Sequence, residues 1–194
     1  MIEPKSVPAG FHLQKRHDAV TGKTIVTIHH STGLTVKLLP FPGFARKFAA
    51  AAIPFGSVHT AFRQNGRLVA VPAGTAHFLE HCIFSRDEDG GLAGRLAELG
   101  ASANAYTTYD HTLYYFSTVN HVEAAFTQWL DAVFRPSLDE ARVTAERPIF
   151  WLNWISTGMT RTAAACSRSW KTCTAAIRSA RISAGLLSLS RRSG

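Results

Sequence analysis

The chain has 194 residues, of which 46% are hydrophobic and 18% are charged. This composition suits one globular domain of ordinary size, and it excludes a wholly disordered chain and a disulfide-dense mini-protein. No apolar run approaches the roughly 20 residues of a membrane helix, and the N-terminus shows no secretory signal. Because the chain has only three cysteines, we expect a cytoplasmic protein with reduced thiols.

Charge is distributed unevenly along the chain. The formal net charge is +8, yet residues 1–150 carry 14 Lys and Arg against 13 Asp and Glu. Residues 151–194 carry seven Lys and Arg and no acidic residue. A nucleic-acid-binding protein would place its charge on the folded body. We therefore expect neither nucleic acid nor membrane as a partner, and a polyanion-binding arm is the less favoured interpretation of the tail.

The first third of the chain has strand-like patterns. Residues 23–30 and 34–39 are rich in β-branched residues and flank turn residues, so they predict a hairpin. Residues 47–55 predict a buried strand, although their alanines also permit a helix. Residues 56–67 are polar and predict a loop.

Helical and extended segments then interleave. Helical spacing marks residues 76–84 and 92–99, and extended segments follow at 101–108 and 112–119. Residues 122–134 form an amphipathic pattern, and a further helix begins within 139–150. The predicted apolar face of residues 122–134 consists of Val122, Ala125, Phe126, Trp129, Leu130 and Val133. The irregular order of strands and helices predicts an α+β fold.

One pentapeptide carries the chemistry of a metal site. Residues 77–81 have the pattern H-x-x-E-H, and on a helix His77 and His81 share one face, so both imidazoles can bind one metal ion. Glu80 reaches the same side and can act as the base that takes a proton from water. This is the ligand and base set of a zinc peptidase in inverted order. The alternative is a helix with two incidental histidines in a chain that has nine. Cys82 is expected to pack behind this helix.

The surrounding residues resemble the insulinase/pitrilysin family of zinc peptidases, in its bacterial, processing-peptidase-like branch. The resemblance rests on residues 74–84, 99–107, 109–114 and 146–149, and it covers about residues 25–150. It implies the family's N-terminal domain, with a mostly antiparallel sheet packed against helices. It also implies Zn²⁺ as cofactor, His77 and His81 as metal ligands, and Glu80 as general base.

The resemblance assigns two further residues. Asn104 matches a residue beside the cleft that helps to hold substrate, and the alternative is a turn cap. Glu146 matches an acidic residue beside the metal that orients it, and the alternative is a solvated helix residue. The family's third zinc ligand is a Glu seven residues after Glu146, and here that position is Asn153.

The genetic code offers a reason for the departure after Phe150. Read two nucleotides later, codons for residues 151–155 permit a Glu at position 153, between residues that resemble the family. We therefore expect a change of reading frame here and a disordered, unselected tail over residues 151–194. The expected organisation is an N-terminal extension over 1–22, a partial, truncated peptidase domain over 23–150 and this tail.

Two functions from different classes follow. The first is a zinc metalloendopeptidase, catalytically impaired in this chain, that acts on a peptide or protein substrate in a bacterial cytoplasm. The second is a non-catalytic family subunit that binds peptide or an active homologous partner. An ordinary family sequence after the lost ligand would favour the second, and this chain does not have one.

Overall fold

A computed structural model describes residues 9–64, 66–84, 91–136, 138, 141, 143–146 and 148. Its contacts divide the chain into two compact units, which have their boundary between Phe44 and Ala45. The expected tail over residues 151–194 and the candidate ligand position Asn153 lie outside the described residues. None of the described helices is long and apolar enough to cross a membrane.

The first unit contains a three-stranded antiparallel sheet in the order β1-β2-β3. Its strands are β1 (Phe11–Asp18), β2 (Lys23–His30) and β3 (Thr35–Leu38). The turn between β1 and β2 is closed by the Asp18 carboxylate, which accepts a hydrogen bond from the Thr21 amide at 3.0 Å. The predicted hairpin of β2 and β3 is confirmed, whereas β1 lies in the region that was assigned to an N-terminal extension.

The second unit contains a three-stranded antiparallel sheet in the order β4-β8-β7 and a separate hairpin of β5 and β6. The strands are β4 (Lys47–Ile53), β5 (Ala61–Gln64), β6 (Arg67–Ala70), β7 (Ser102–Thr107) and β8 (Thr112–Thr118). The helices are α1 (Thr75–Phe84), α2 (Gly91–Glu98) and α3 (Val122–Phe134). The α+β prediction is confirmed. The prediction of a loop over residues 56–67 is wrong in part, because β5 and the first residue of β6 fall within it.

Strand β8 organises the core because its alternate residues face the helices. Tyr114 and Phe116 are 2% and 1% exposed, and they pack with Leu92 and Leu96 of α2 and with Trp129 of α3. Burial of each such large apolar side chain stabilises the fold by about 1.5–3 kcal/mol. The core therefore lies on one face of the sheet, which is the face that carries α1.

The predicted apolar face of α3 is confirmed only in part. Ala125, Trp129 and Val133 are buried, as the spacing predicts. Val122 and Phe126 remain 36% and 41% exposed, so the predicted apolar face is wider than the face that α3 buries. Ala125, Trp129 and Val133 follow one another at four-residue intervals and form the fully buried stripe of α3, while Phe126 contacts Phe116 of β8 from the edge of that stripe.

Candidate metal centre

Helix α1 begins where a tight turn satisfies its first polar groups. The Thr75 hydroxyl donates to the Pro72 carbonyl at 2.6 Å, and the Phe78 amide donates to the Gly74 carbonyl at 3.0 Å. Gly74 has a φ of +86°, a backbone conformation that residues other than glycine rarely adopt. On the buried side, Phe78 is 4% exposed and Cys82 is fully buried, as predicted for Cys82. The helix is therefore held firmly by its start and by its core face.

The two histidines of the pentapeptide lie side by side on α1. The ring centroids of His77 and His81 are 4.9 Å apart, and the rings are inclined by 68°. Both rings are partly buried. Two imidazoles one helical turn apart can therefore approach one small ion from the same side.

Glu80 is held from another element. Its Oε2 accepts a hydrogen bond of 2.7 Å from the Thr107 hydroxyl at the end of β7. The two residues are 27 positions apart in the chain, so the contact depends on the packing of α1 against the sheet. One carboxylate oxygen is engaged by this bond, which leaves the other to accept a proton.

Glu146, from a later segment of the chain, lies beside His81. Its Oε2 lies 3.8 Å from Nδ1 of His81, and the carboxylate side chain is only 7% exposed. Residues 143–146 are helical, and Val143 is buried. The alternative that Glu146 is a solvated helix residue is therefore wrong. Its position beside His81 suits the orienting role that the resemblance implies, and that role stays a prediction.

The surroundings shift the proton affinities of all three groups on α1. Burial lowers the pKa of His77. Burial also lowers the pKa of His81, helped by the charge of His77 and opposed by Glu80. Burial raises the pKa of Glu80, opposed by the Thr107 hydrogen bond and the charge of His81. Neutral imidazoles beside a carboxylate of raised proton affinity suit metal ligation and proton transfer.

These donors fit a zinc ion in part. Neutral imidazole nitrogens are among the ligands that zinc prefers, and a catalytic site takes three protein ligands. Within the part of the chain that the structure describes, no group of three or more His, Cys, Asp or Glu residues is placed to hold a metal ion. His77 and His81 therefore supply two donors, and a third would come from outside the described residues.

Asn104 lies apart from this cluster. It sits inside β7 and is exposed, with its own Oδ1 accepting a hydrogen bond of 2.8 Å from the Ala105 amide. The turn-cap alternative is therefore wrong. Because side chains alternate across a strand, Asn104 points to the opposite face from Thr107. The structure does not bring its side chain to Glu80, and a substrate-binding role for Asn104 stays a prediction.

Sequence reasoning assigned no role to Thr107 or Thr112. Their hydroxyl oxygens lie 3.3 Å apart as directly paired residues of β7 and β8, and the Thr112 hydroxyl also donates to the Phe55 carbonyl at 2.9 Å. Thr107 ends the Asn-Ala-Tyr-Thr segment on which the resemblance partly rests. That segment was the available signal, but its contact with Glu80 becomes visible only in three dimensions.

The profile of a known peptidase family covers this site. Residues 70–165 match the family described as Insulinase (Peptidase family M16), and the match includes α1, β7, β8 and Glu146. The matched region belongs to the insulinase family. The predicted resemblance is thus confirmed, and the chain carries an N-terminal region of this family.

Named relatives agree with the insulinase assignment. The zinc protease YmfH of Bacillus subtilis is 38% identical over 128 residues, which cover 63% of this chain and 30% of that protein. An M16-like peptidase from Alicyclobacillus acidocaldarius has a solved structure that is 35% identical, with a TM-score of 0.56. That likeness covers 74% of this chain and 31% of the other. A mitochondrial-processing peptidase subunit beta of Arabidopsis thaliana is 34% identical over 80 residues, or 39% of this chain and 15% of that protein.

The chain thus spans about 30% of the length of the bacterial relatives that it matches. Within that part the chain shares a peptidase family, and two Bacillus relatives that it matches are named zinc proteases. The activity, substrate and partners of the whole protein are matters for proposal.

Proposed function

We propose that this insulinase-family chain carries the metal-binding and proton-transfer residues of a zinc metalloendopeptidase. The observation that supports it most directly is the pair of His77 and His81, whose ring centroids are 4.9 Å apart. Glu80 lies between them in sequence and accepts a hydrogen bond from Thr107 of β7. His77 and His81 would hold the ion, and Glu146 would orient His81. Bound zinc would supply a lowered pKa for water, toward about 7.

Glu80 would then act on the water and the substrate. Its carboxylate would take the proton of the attacking water and deliver it to the amine that leaves the cleaved peptide bond. Its partial burial favours both steps, because a carboxyl group with a raised pKa can hold the proton between them. The substrate class is a peptide or protein.

We further propose that this chain is catalytically impaired. Asn153 stands where the resemblance implies the third ligand, and a neutral amide oxygen is a poor substitute for a carboxylate on zinc. The codon pattern after Phe150 supports a change of reading frame there. Against it, the family profile matches through residue 165, past that point. Sequencing the gene across the codons for residues 150–154 is the direct test.

A non-catalytic family subunit is the second candidate. The observation in its favour is the same Asn153, together with a relative whose name includes "subunit beta". Such a subunit would bind a peptide or a homologous active partner. It would lack Glu80-dependent turnover even when the reading frame after residue 150 is restored, whereas the first candidate would gain that turnover.

Isothermal titration with zinc tests the metal site. We expect the 194-residue chain to bind zinc with a Kd weaker than about 1 μM, or about 8 kcal/mol. His77→Ala should abolish the binding, while His12→Ala, an exposed histidine on β1, should leave it unchanged. Equal affinities for these two variants would contradict the site. A complex tighter than micromolar would contradict the missing third ligand.

Peptide cleavage tests the activity. With added zinc and a mixture of quenched fluorescent peptides, we expect little turnover by the unmodified chain. Robust turnover that Glu80→Gln abolishes would show that the chain is an intact peptidase and would contradict the impairment. Turnover that Glu80→Gln leaves unchanged would contradict the role of Glu80.

A further inference from the structure

The hydroxyl of Thr107 is placed to control where the Glu80 carboxylate points. Thr107 is the last residue of β7, and its side chain is on the helix-facing side with Ala103 and Ala105. From there it donates to Glu80 Oε2 at 2.7 Å, close to the length of a charge-assisted hydrogen bond. A β-branched threonine has few side-chain rotamers, so the donor position is well defined.

A second hydroxyl fixes the direction of this bond. Thr112 donates its only hydroxyl proton to the Phe55 carbonyl at 2.9 Å, and a carbonyl can only accept. Its oxygen lies 3.3 Å from that of Thr107 and has no further proton to give. Thr107 therefore keeps its own proton for Glu80, the stronger acceptor of the two. The order of donation runs from Thr107 to the carboxylate.

The turn after Thr107 is itself anchored. The Ser57 amide donates to the Thr108 carbonyl at 2.9 Å, and the Val58 amide donates to the Tyr109 carbonyl at 3.1 Å. Gly56 approaches this turn so closely that a Cβ there would lie 2.5 Å from the Tyr109 carbonyl oxygen. Backbone contacts from the segment after β4 thus hold the end of β7 in place.

We propose that Thr107 is the positioning residue of Glu80: it ties one carboxylate oxygen to the sheet, so that Glu80 serves as a base and is withheld from the metal as a ligand. The inference rests on the proposed function, because it presupposes a metal at His77 and His81. Without the tie, a carboxylate one residue from His81 on the same helical side is free to turn toward the ion and complete its coordination.

Two measurements on the full chain test this role. The first is a double-mutant cycle on urea unfolding without metal, with Thr107→Val and Glu80→Ala. We expect a coupling of at least about tenfold in the unfolding constant, as for a hydrogen bond to a charged group. Additive effects would overturn the proposal, whatever the metal does.

The second measurement is zinc titration, with the visible absorption of the Co²⁺-loaded chain as a spectroscopic signature. We expect Thr107→Val to tighten zinc binding by about tenfold, the scale on which partners of metal-site residues alter affinity. The Co²⁺ spectrum should change with it. Thr107→Ser should restore both values. Thr118→Val removes the hydroxyl of a buried threonine at the other end of β8, which donates to the Asn120 carbonyl, and it should change neither.

The outcomes separate the inference from the proposed function. If Thr107→Val changes neither affinity nor spectrum, or changes them equally when Glu80→Gln is also present, the positioning role is wrong and the metal site stands. If the unmodified chain and His77→Ala bind zinc equally poorly, the proposed function is wrong and the role of Thr107 beside a metal is wrong with it.

Discussion

Replacement of Gly56 by alanine should destabilise the protein, and the sign of the effect is decisive. Gly56 does not adopt the left-handed conformation, so in open space an alanine would stabilise the fold by about 0.4–1 kcal/mol through the unfolded state. The space is not open. A Cβ would lie 2.5 Å from the Tyr109 carbonyl oxygen and 2.6 Å from the amide nitrogens of Asp110 and His111. All three are backbone atoms and cannot rotate away.

Relief of these contacts requires the segment after β4 to separate from the β7–β8 turn. Overpacking typically costs about 1–3 kcal/mol, and the involvement of three backbone atoms places Gly56→Ala near 2–3 kcal/mol. For a chain of this size that corresponds to a fall in Tm of about 4–12 °C. Thermal unfolding followed by circular dichroism measures it. Ser57→Ala is the matched control, because it keeps the hydrogen bond from the backbone amide of residue 57 to the Thr108 carbonyl. It should change Tm by less than about 2 °C. An unchanged or raised Tm for Gly56→Ala would refute the close approach.

Three further predictions concern the site and the core. Burial lowers the pKa of His77 and His81, so the unfolded chain binds more protons than the folded chain below about pH 6.5. The urea midpoint of the metal-free chain should therefore fall as the pH drops from 7.5 to 5.5. His77→Gln should reduce that fall. Within the described residues the Trp129 indole N–H is buried without a hydrogen-bond partner. Trp129→Phe should therefore lower the free energy of unfolding by less than about 1.5 kcal/mol, whereas Trp129→Ala should lower it by about 3–5 kcal/mol. Equal losses in chemical denaturation would contradict this. Asn153→Glu should tighten zinc binding at least about tenfold with little gain in peptide cleavage, and titration and fluorescence measured side by side would show any other pattern.

Local pattern predicts most of the second unit. Strand β8 and helices α1 and α3 each carry enough apolar periodicity in a single segment to be predicted from the sequence, whereas the alanine run of β4 also permits a helix. The hairpin of β5 and β6 was missed because its strands are four residues long and polar residues such as Arg63 occupy them. Short strands of this kind are held by pairing across the hairpin, which hydropathy does not reveal.

The candidate site divides in the same way. His77, Glu80 and His81 lie within one helical turn, so their proximity follows from helix geometry alone. Glu146 and His81 are 65 residues apart (146 − 81), so no local pattern relates them. Only the family resemblance predicted that Glu146 lies beside the metal site. The contact between Glu80 and Thr107 could not be predicted, because it depends on how the helix and the sheet edge pack in three dimensions.

Helix α1 serves two purposes with one short segment. Thr75, Ala76, Phe78 and Cys82 bury one side of it, while His77, Glu80 and His81 occupy the other. Each of the three polar residues has a buried neighbour within two positions in sequence. A random mutation in these ten residues is therefore as apt to re-aim the site as to loosen the core. An engineer who wishes to retune the chemistry can instead exchange Thr107, which lies outside α1 at the end of β7, and so alter the hydrogen bond to Glu80 without replacing a residue of the helix.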